Sequence, residues 1–404
     1  MVSKWERGSK LPSRRYQRLL RALFDGPTAA PAFVGSGDSV LRVDYARPMP
    51  EALDSIDRLS RADMERRDFL KGALFAVGAT IAPSRDWLVA TIEAATAPAT
   101  GRVSSTQVEA IRRAFGLFQE MDVMRGGGHA RQQLARYATD TVTPLLRQND
   151  PSTEPGRSLF EAGAEQLYLL GWMAYDDGEH ALAQSYLTRA LRLAQEANAH
   201  ELGAHVLAGM SDQATLTGHP RDALDLARTG RAGLRGIDSP ACIADLWALQ
   251  ARAEAALGDG KAAAKSVLQS ERHAERIRLD NEPEWAKYID PAYLNGEYAH
   301  AFRDLGRPEE SRLFATLSAD EAARQNRARR GSLAHATLPR AALEDHALEA
   351  APAAAVTTVE LATAVRSSRS REAVSDLRAR LGDHVSSSDV ADFLALADVL
   401  QPNA

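Results

Sequence analysis

Leu170-Gly171-Trp172-Met173-Ala174-Tyr175-Asp176-Asp177-Gly178, with Ala181-Leu182-Ala183-Gln184-Ser185-Tyr186 directly after it, is the stretch whose reading decides the fold. An apolar run meets a glycine, and a second apolar run rich in small residues follows. Gly218 and Gly258 stand at successive 40-residue intervals from Gly178, and Gly306 follows 48 residues later. Each is flanked in the same way, by 212–217 and 223–227, by 251–257 and 262–268, and by 298–305 and 309–314. The glycine suits a left-handed cap that ends one helix, and small alanines let the returning helix pack closely against it. One such hairpin cannot bury both faces of its helices, so the copies must stack. The expected fold is all-α: a solenoid of helical hairpins, curved around a concave groove.

These hairpins resemble tetratricopeptide (TPR) repeats, lengthened from the usual ~34 residues. From 103 to about 333 the chain is rich in Ala, Leu and Arg, with sparse punctuation, as a nearly continuous helical region requires. Residues 103–345 are therefore assigned to the repeat array. An Ala/Pro spacer, Ala350-Ala351-Pro352-Ala353, opens residues 346–404, which are read as capping helices over its end, since a terminal repeat needs a polar outer face. Upstream, Gly26-Pro27, Pro31, Gly35-Ser36-Gly37, Pro48 and Pro50 break any helical period. Residues 27–102 are accordingly read as a linker carrying one or two apolar helices.

The composition excludes several classes. With one cysteine, Cys242, among 404 residues, neither an intramolecular disulfide nor a multi-cysteine metal site can form, which fits a reducing compartment. The sequence lacks a Gly-x-Ser-x-Gly elbow and a P-loop, and has neither a His-x-x-x-His nor a Cys-x-x-Cys pair. His200 and His205 are five apart, a poor spacing for one metal on one helix face. The chain is read as a non-enzyme, with no catalytic residues, no metal and no cofactor.

At the other end, residues 1–26 carry seven basic side chains against Glu6 and Asp25, in a chain whose net charge is -5. Such a basic segment suits phosphate contact. Ser3-Lys4-Trp5-Glu6-Arg7-Gly8, followed by Leu11-Pro12-Ser13-Arg14-Arg15, resembles the end of the recognition helix and the start of the next helix in Cro/CI-type (XRE) helix-turn-helix domains. The resemblance implies DNA contact by Ser3, Lys4, Arg7, Lys10, Arg14 and Arg15. It covers about the last 25 residues of such a domain. The scaffold helices and the base-reading first turn have no counterpart, so we expect a clipped start and DNA binding that is weak or lost in this form.

Glu65-Arg66-Arg67-Asp68-Phe69-Leu70-Lys71, with the apolar run 72–82 after it, resembles a twin-arginine export signal. The pair lies far from Met1, and no clean Ala-x-Ala site closes the run, so a linker helix docked on the body is preferred. The run is too short to span a bilayer, and no membrane association is expected.

Function in a repeat array is expected in the groove. Polar side chains on the first helices of the hairpins make Gln166, Asn295, Glu297 and His300 candidates for binding a peptide, a small molecule or a protein. His129 and Arg131, behind Gly126-Gly127-Gly128, could add donors to the free N–H groups of a helix start, although an ordinary loop and helix entry is the commoner meaning of such glycines. Trp172, Tyr175, Trp247, Trp285 and Tyr293 are read as packing between repeats.

Gly127-Gly128-His129-Ala130-Arg131, the run 170–176, Ala190-Leu191-Arg192-Leu193-Ala194, the run 285–290 and Phe302-Arg303-Asp304-Leu305-Gly306-Arg307 together resemble a family of bacterial helix-turn-helix regulators with TPR-like C-terminal regions. The resemblance implies a cytoplasmic transcriptional regulator, a homodimer in use, whose array senses a ligand or partner and controls a DNA-binding head. Two alternatives stay open: a TPR interaction scaffold that does not bind DNA, and a twin-arginine-exported repeat protein.

Overall fold

The computed structural model describes residues 45, 48–65, 103–128, 130–344, 351–384 and 387–400. Among these residues the fold is all-α, an array of helices packed mainly on their neighbours in sequence. The candidate DNA contacts Ser3, Lys4, Arg7, Lys10, Arg14 and Arg15 lie outside the described residues, as do Arg66, Arg67, the apolar run after them, and His129.

Met49–Glu65 (α1) is an amphipathic helix inside the stretch read as linker; it buries Leu53, Ile56 and Leu59 against the array. Ser105–Arg125 (α2) follows, opened by a capping box in which Ser104 and Gln107 satisfy each other's backbone N–H. Arg131–Tyr137 (α3) runs through a π-turn, Ala138–Val142, into Thr143–Gln148 (α4). The hairpins come next. Glu154–Asp176 (α5) pairs with His180–Glu196 (α6), His200–Leu216 (α7) with Pro220–Gly233 (α8), and Pro240–Ala256 (α9) with Gly260–Ala274 (α10). Pro291–Asp304 (α11) pairs with Pro308–Arg324 (α12), and Ala328–Glu344 (α13) with Ala351–Thr363 (α14). Ser368–Leu381 (α15) and Ser388–Leu400 (α16) complete the chain's described helices.

The four hairpin glycines do what their spacing implies. Gly178, Gly218, Gly258 and Gly306 have φ of 80°, 81°, 79° and 64°. Each closes the same pair of bonds: Gly178 N–H donates to Tyr175 O (3.1 Å) and Glu179 N–H to Ala174 O (2.9 Å), and the set is repeated at the other three. Asn198 and Asn326 take the same left-handed cap, at φ 55° and 54°, between one hairpin and the next. Close helix approach is set by Gly171, where a Cβ would stand 2.8 Å from Leu187 Cγ.

The last helices do more than cover the end of the array. They share a core of Val359, Val374, Leu377, Leu381, Val390 and Phe393, but the start of α15 returns to the first hairpin. Arg366 N–H donates to Arg125 O (2.7 Å), Ser367 Oγ to Asp176 Oδ1 (2.8 Å), and Ser368 Oγ to Asp177 O (2.9 Å). No described helix is long and apolar enough to cross a membrane.

Candidate functional site

Aligning the hairpins on their glycines puts equivalent residues of the first helices in rows. Six residues before each glycine stand Trp172, Asp212, Arg252 and His300; thirteen before stand Glu165, His205, Asp245 and Tyr293. Residues at equal positions of stacked repeats share a face, so charge and aromatic rings gather along one line. Arginines from α13 and α15 meet that line from the opposite side.

Arg252 lies between two carboxylates, its Nη1 2.8 Å from Glu297 Oε2 and also hydrogen-bonded to Asp212 Oδ1. Arg330 reaches the other oxygen of Glu297 at 3.3 Å and sits 4.8 Å from the Tyr293 ring. Arg369 stands 4.0 Å from Asp212 Oδ2, with its guanidinium 4.7 Å from the Tyr175 ring. Arg329 binds Asp122 of α2 at 2.8 and 3.1 Å and Asp176 of α5 at 3.1 Å. The last hairpin is thus tied across the array to its first helices by charge-assisted bonds.

The balance of burial and charge differs along the line. Burial alone would raise the Glu297 carboxyl, but Arg252 and Arg330 hold it well below the usual range. Asp245 has no such cation in contact, and burial pushes it up to about 8 despite the hydrogen bond that Tyr293 donates to it (2.9 Å). His205 is fully buried and desolvated, which lowers it to about 3. Its ring lies among Tyr168 (4.4 Å), Trp285 (4.8 Å) and Tyr288 (5.7 Å), and neither nitrogen has a hydrogen-bond partner. A narrow cleft of about 50 Å³ runs beside this box, lined by Phe115, Asp122, Trp172, Tyr288, Arg327 and Arg329 among others. It has room for a few waters. The cleft is lined by arginine side chains and aromatic rings; among the described residues no cluster of metal-ligating side chains occurs.

The candidates read from sequence fall in different places. Glu297 and His300 come together on the inner line. Gln166 is buried on α5 and donates to Ile111 O of α2 at 3.0 Å, tying two helices together. Asn295 is half-buried on α11. Arg131 is 3 % exposed and is held by Asp63 of α1 and by Asp177, the latter at 3.3 Å. The glycine N–H groups before it are taken: Gly127 donates to Asp176 Oδ2 (3.0 Å) and Gly128 to Arg366 O (3.2 Å). Tyr175, Trp285 and Tyr293 are buried, Trp172 lines the cleft, and Trp247 stacks under the Arg231 guanidinium at 3.5 Å. Asp212, Asp245, Arg252, Arg329, Arg330 and Arg369 did not stand out in the sequence. For Asp212, Asp245 and Arg252 the signal is the register itself, a charged residue at an interior position of a periodic helix.

Compared with known proteins, the chain matches no family model, and no curated protein matches it.

Proposed function

We propose that the chain is a ligand-responsive transcriptional regulator that acts in the cytoplasm and catalyses no reaction, with the helical array as its sensor and the basic segment 1–26 as part of its DNA-contacting head. The observation that carries the sensor half is the set of arginine–carboxylate ties between the inner face and α13 and α15. An occupant can shift such an arrangement only by binding its open and closed forms unequally, and ties of this kind give the closed form a definite energy to work against. The regulator half rests on the helix-turn-helix resemblance of residues 1–26.

The test is a selection of genomic fragments on the purified full chain at fixed, stated salt, because phosphate contacts make affinity salt-dependent. The expected result is weak but reproducible enrichment of discrete sites that falls when Arg14 and Arg15 are changed to Ala. Uniform recovery of all fragments, or enrichment indifferent to those changes, overturns it.

A second reading, a protein-interaction scaffold without DNA binding, is favoured by one observation. Leu117, Met121 and Met124 are 62 %, 46 % and 51 % exposed and fall on one face of α2. Retained promoter binding together with a pull-down that returns no partner would count against it.

A further inference from the structure

Between the first helices of the hairpins and the last helices lies a second cavity of about 150 Å³, which shares Leu333 and Arg369 with the narrow cleft described above. Its lining combines the apolar Leu216, Leu333, Ala336 and Ala373 with four arginines, Arg252, Arg303, Arg340 and Arg369, and with His300, Glu372 and Asp376. Three of these residues each have a buried nitrogen with no hydrogen-bond partner: Arg252 Nε, Arg340 Nε and His300 Nδ1. Such groups normally have partners; all three are enclosed, the two Arg Nε–H groups lack an acceptor, and the neutral His300 ring leaves Nδ1 as either donor or acceptor. His300 is 7 % exposed, and its nearest acid, Glu297 Oε2, stands 3.8 Å away, beyond hydrogen-bond reach.

The acids around the cavity match most of its arginines, and Arg340 least. Asp376 is 3.3 Å from Arg340 but 2.9 Å from Arg380, so it is shared. Glu297 and Asp212 are taken up by Arg252, Arg330 and Arg369, and Asp304 by Arg303 at 2.7 Å. Glu372 also lines the cavity and contributes one further negative charge. The size is informative too, because an engineered apolar cavity of about 150 Å³ takes benzene.

We propose that this cavity binds a small organic oxyanion, a carboxylate or phosphate on a ring-sized apolar body, with Arg340 and His300 meeting the oxyanion and the Leu216–Leu333 side meeting the body. Because Arg252 and His300 belong to the array while Arg340 belongs to α13, the ligand joins the two parts that the sensor reading says must move. The inference rests on that reading for its biological role, but not for the binding itself.

The test is calorimetric titration of the full chain with benzoate, phenyl phosphate, inorganic phosphate and the neutral analogue benzamide at constant ionic strength. One of the two ring anions is expected to bind at least about tenfold more tightly than benzamide and inorganic phosphate. Arg340→Gln is expected to weaken that binding about tenfold, and Ala373→Leu, which fills the cavity without touching a charge, to abolish it. Arg324→Gln, on the exposed side of α12, should leave it unchanged, and far-UV circular dichroism confirms that each variant is folded. Absence of binding by both ring anions, equal binding of benzamide or inorganic phosphate, or binding indifferent to both cavity variants overturns the proposal. Failure of the genomic selection would remove the regulator reading and leave this site standing; failure here removes the site and leaves that reading.

Discussion

Replacing Arg329 by Met tests whether the ties across the array hold it closed. The guanidinium compensates two carboxylates, Asp122 at 2 % and Asp176 at 0 % exposure, through three bonds of 2.8–3.1 Å. Removing one partner of a buried ion pair costs about 3–5 kcal/mol, because the other charge stays buried without compensation. Two features set the value near the lower end, about 3 kcal/mol. Arg329 keeps 13 % of its side-chain surface in solvent, and Asp176 retains the bonds donated by Gly127 N–H and Ser367 Oγ. Burial raises the Asp122 carboxyl even with Arg329 in place, so in the variant it takes up a proton more readily still. The folded variant then binds a proton that the unfolded chain, with its ordinary carboxyl, has released; its stability therefore falls as pH rises. Urea unfolding at pH 5 and pH 8 should show a larger deficit against wild type at pH 8. A deficit below about 1 kcal/mol that is the same at both values would refute the reasoning, since it would place Arg329 among surface pairs of little consequence.

Four further outcomes are expected. Gly171→Ala should cost about 1–3 kcal/mol in chemical unfolding, because its Cβ meets Leu187 at 2.8 Å in the tight α5–α6 contact. At Gly258, whose surroundings are open and whose φ is 79°, Asn should be milder than Ala, as only backbone strain is at stake and Asn already holds that conformation at 198 and 326. Asp245→Asn should match wild type near pH 4 and become the more stable protein toward pH 8: the native carboxyl titrates near 8 against an ordinary 3.8, so wild type alone loses stability through that window, as denaturation midpoints across the range would show. Cell fractionation should find the protein at full mass with and without the Arg66→Lys, Arg67→Lys double change, whereas a shortened exported species that vanishes in the double variant would favour the twin-arginine alternative.

The hairpins were legible because glycine is the one residue whose backbone freedom marks a turn in plain text. Gly178, Gly218, Gly258 and Gly306 give period, helix polarity and boundaries at once. The Asn198 and Asn326 caps carry the same information less visibly, because Asn also serves in many other turns. The inner line was legible only in part. Glu297 and His300 were recognisable as polar residues on a first helix, but the same criterion selected Gln166, which spends its amide on Ile111 O. Arg329 and Arg369 could not be found this way, since their partners lie 207 residues back at Asp122 and 157 back at Asp212. Local pattern carries no information about which distant acid an arginine meets, and a basic residue near the end of an array looks like solvated surface. The helix α1 was hidden for another reason: Pro48 and Pro50 read as breakers, although proline at a helix's first turn is favourable.

The central claim is that closure of the array is coupled to DNA binding, and fluorescence anisotropy on a fragment recovered by the genomic selection measures it directly. The affinity of the full chain should differ between wild type and Arg329→Met by about fivefold or more at one salt concentration, the range a coupling free energy of ~1–3 kcal/mol produces. Equal affinities, with Arg329→Met shown by urea unfolding to be folded but destabilised, would contradict the coupling and leave the array without a hold on the head.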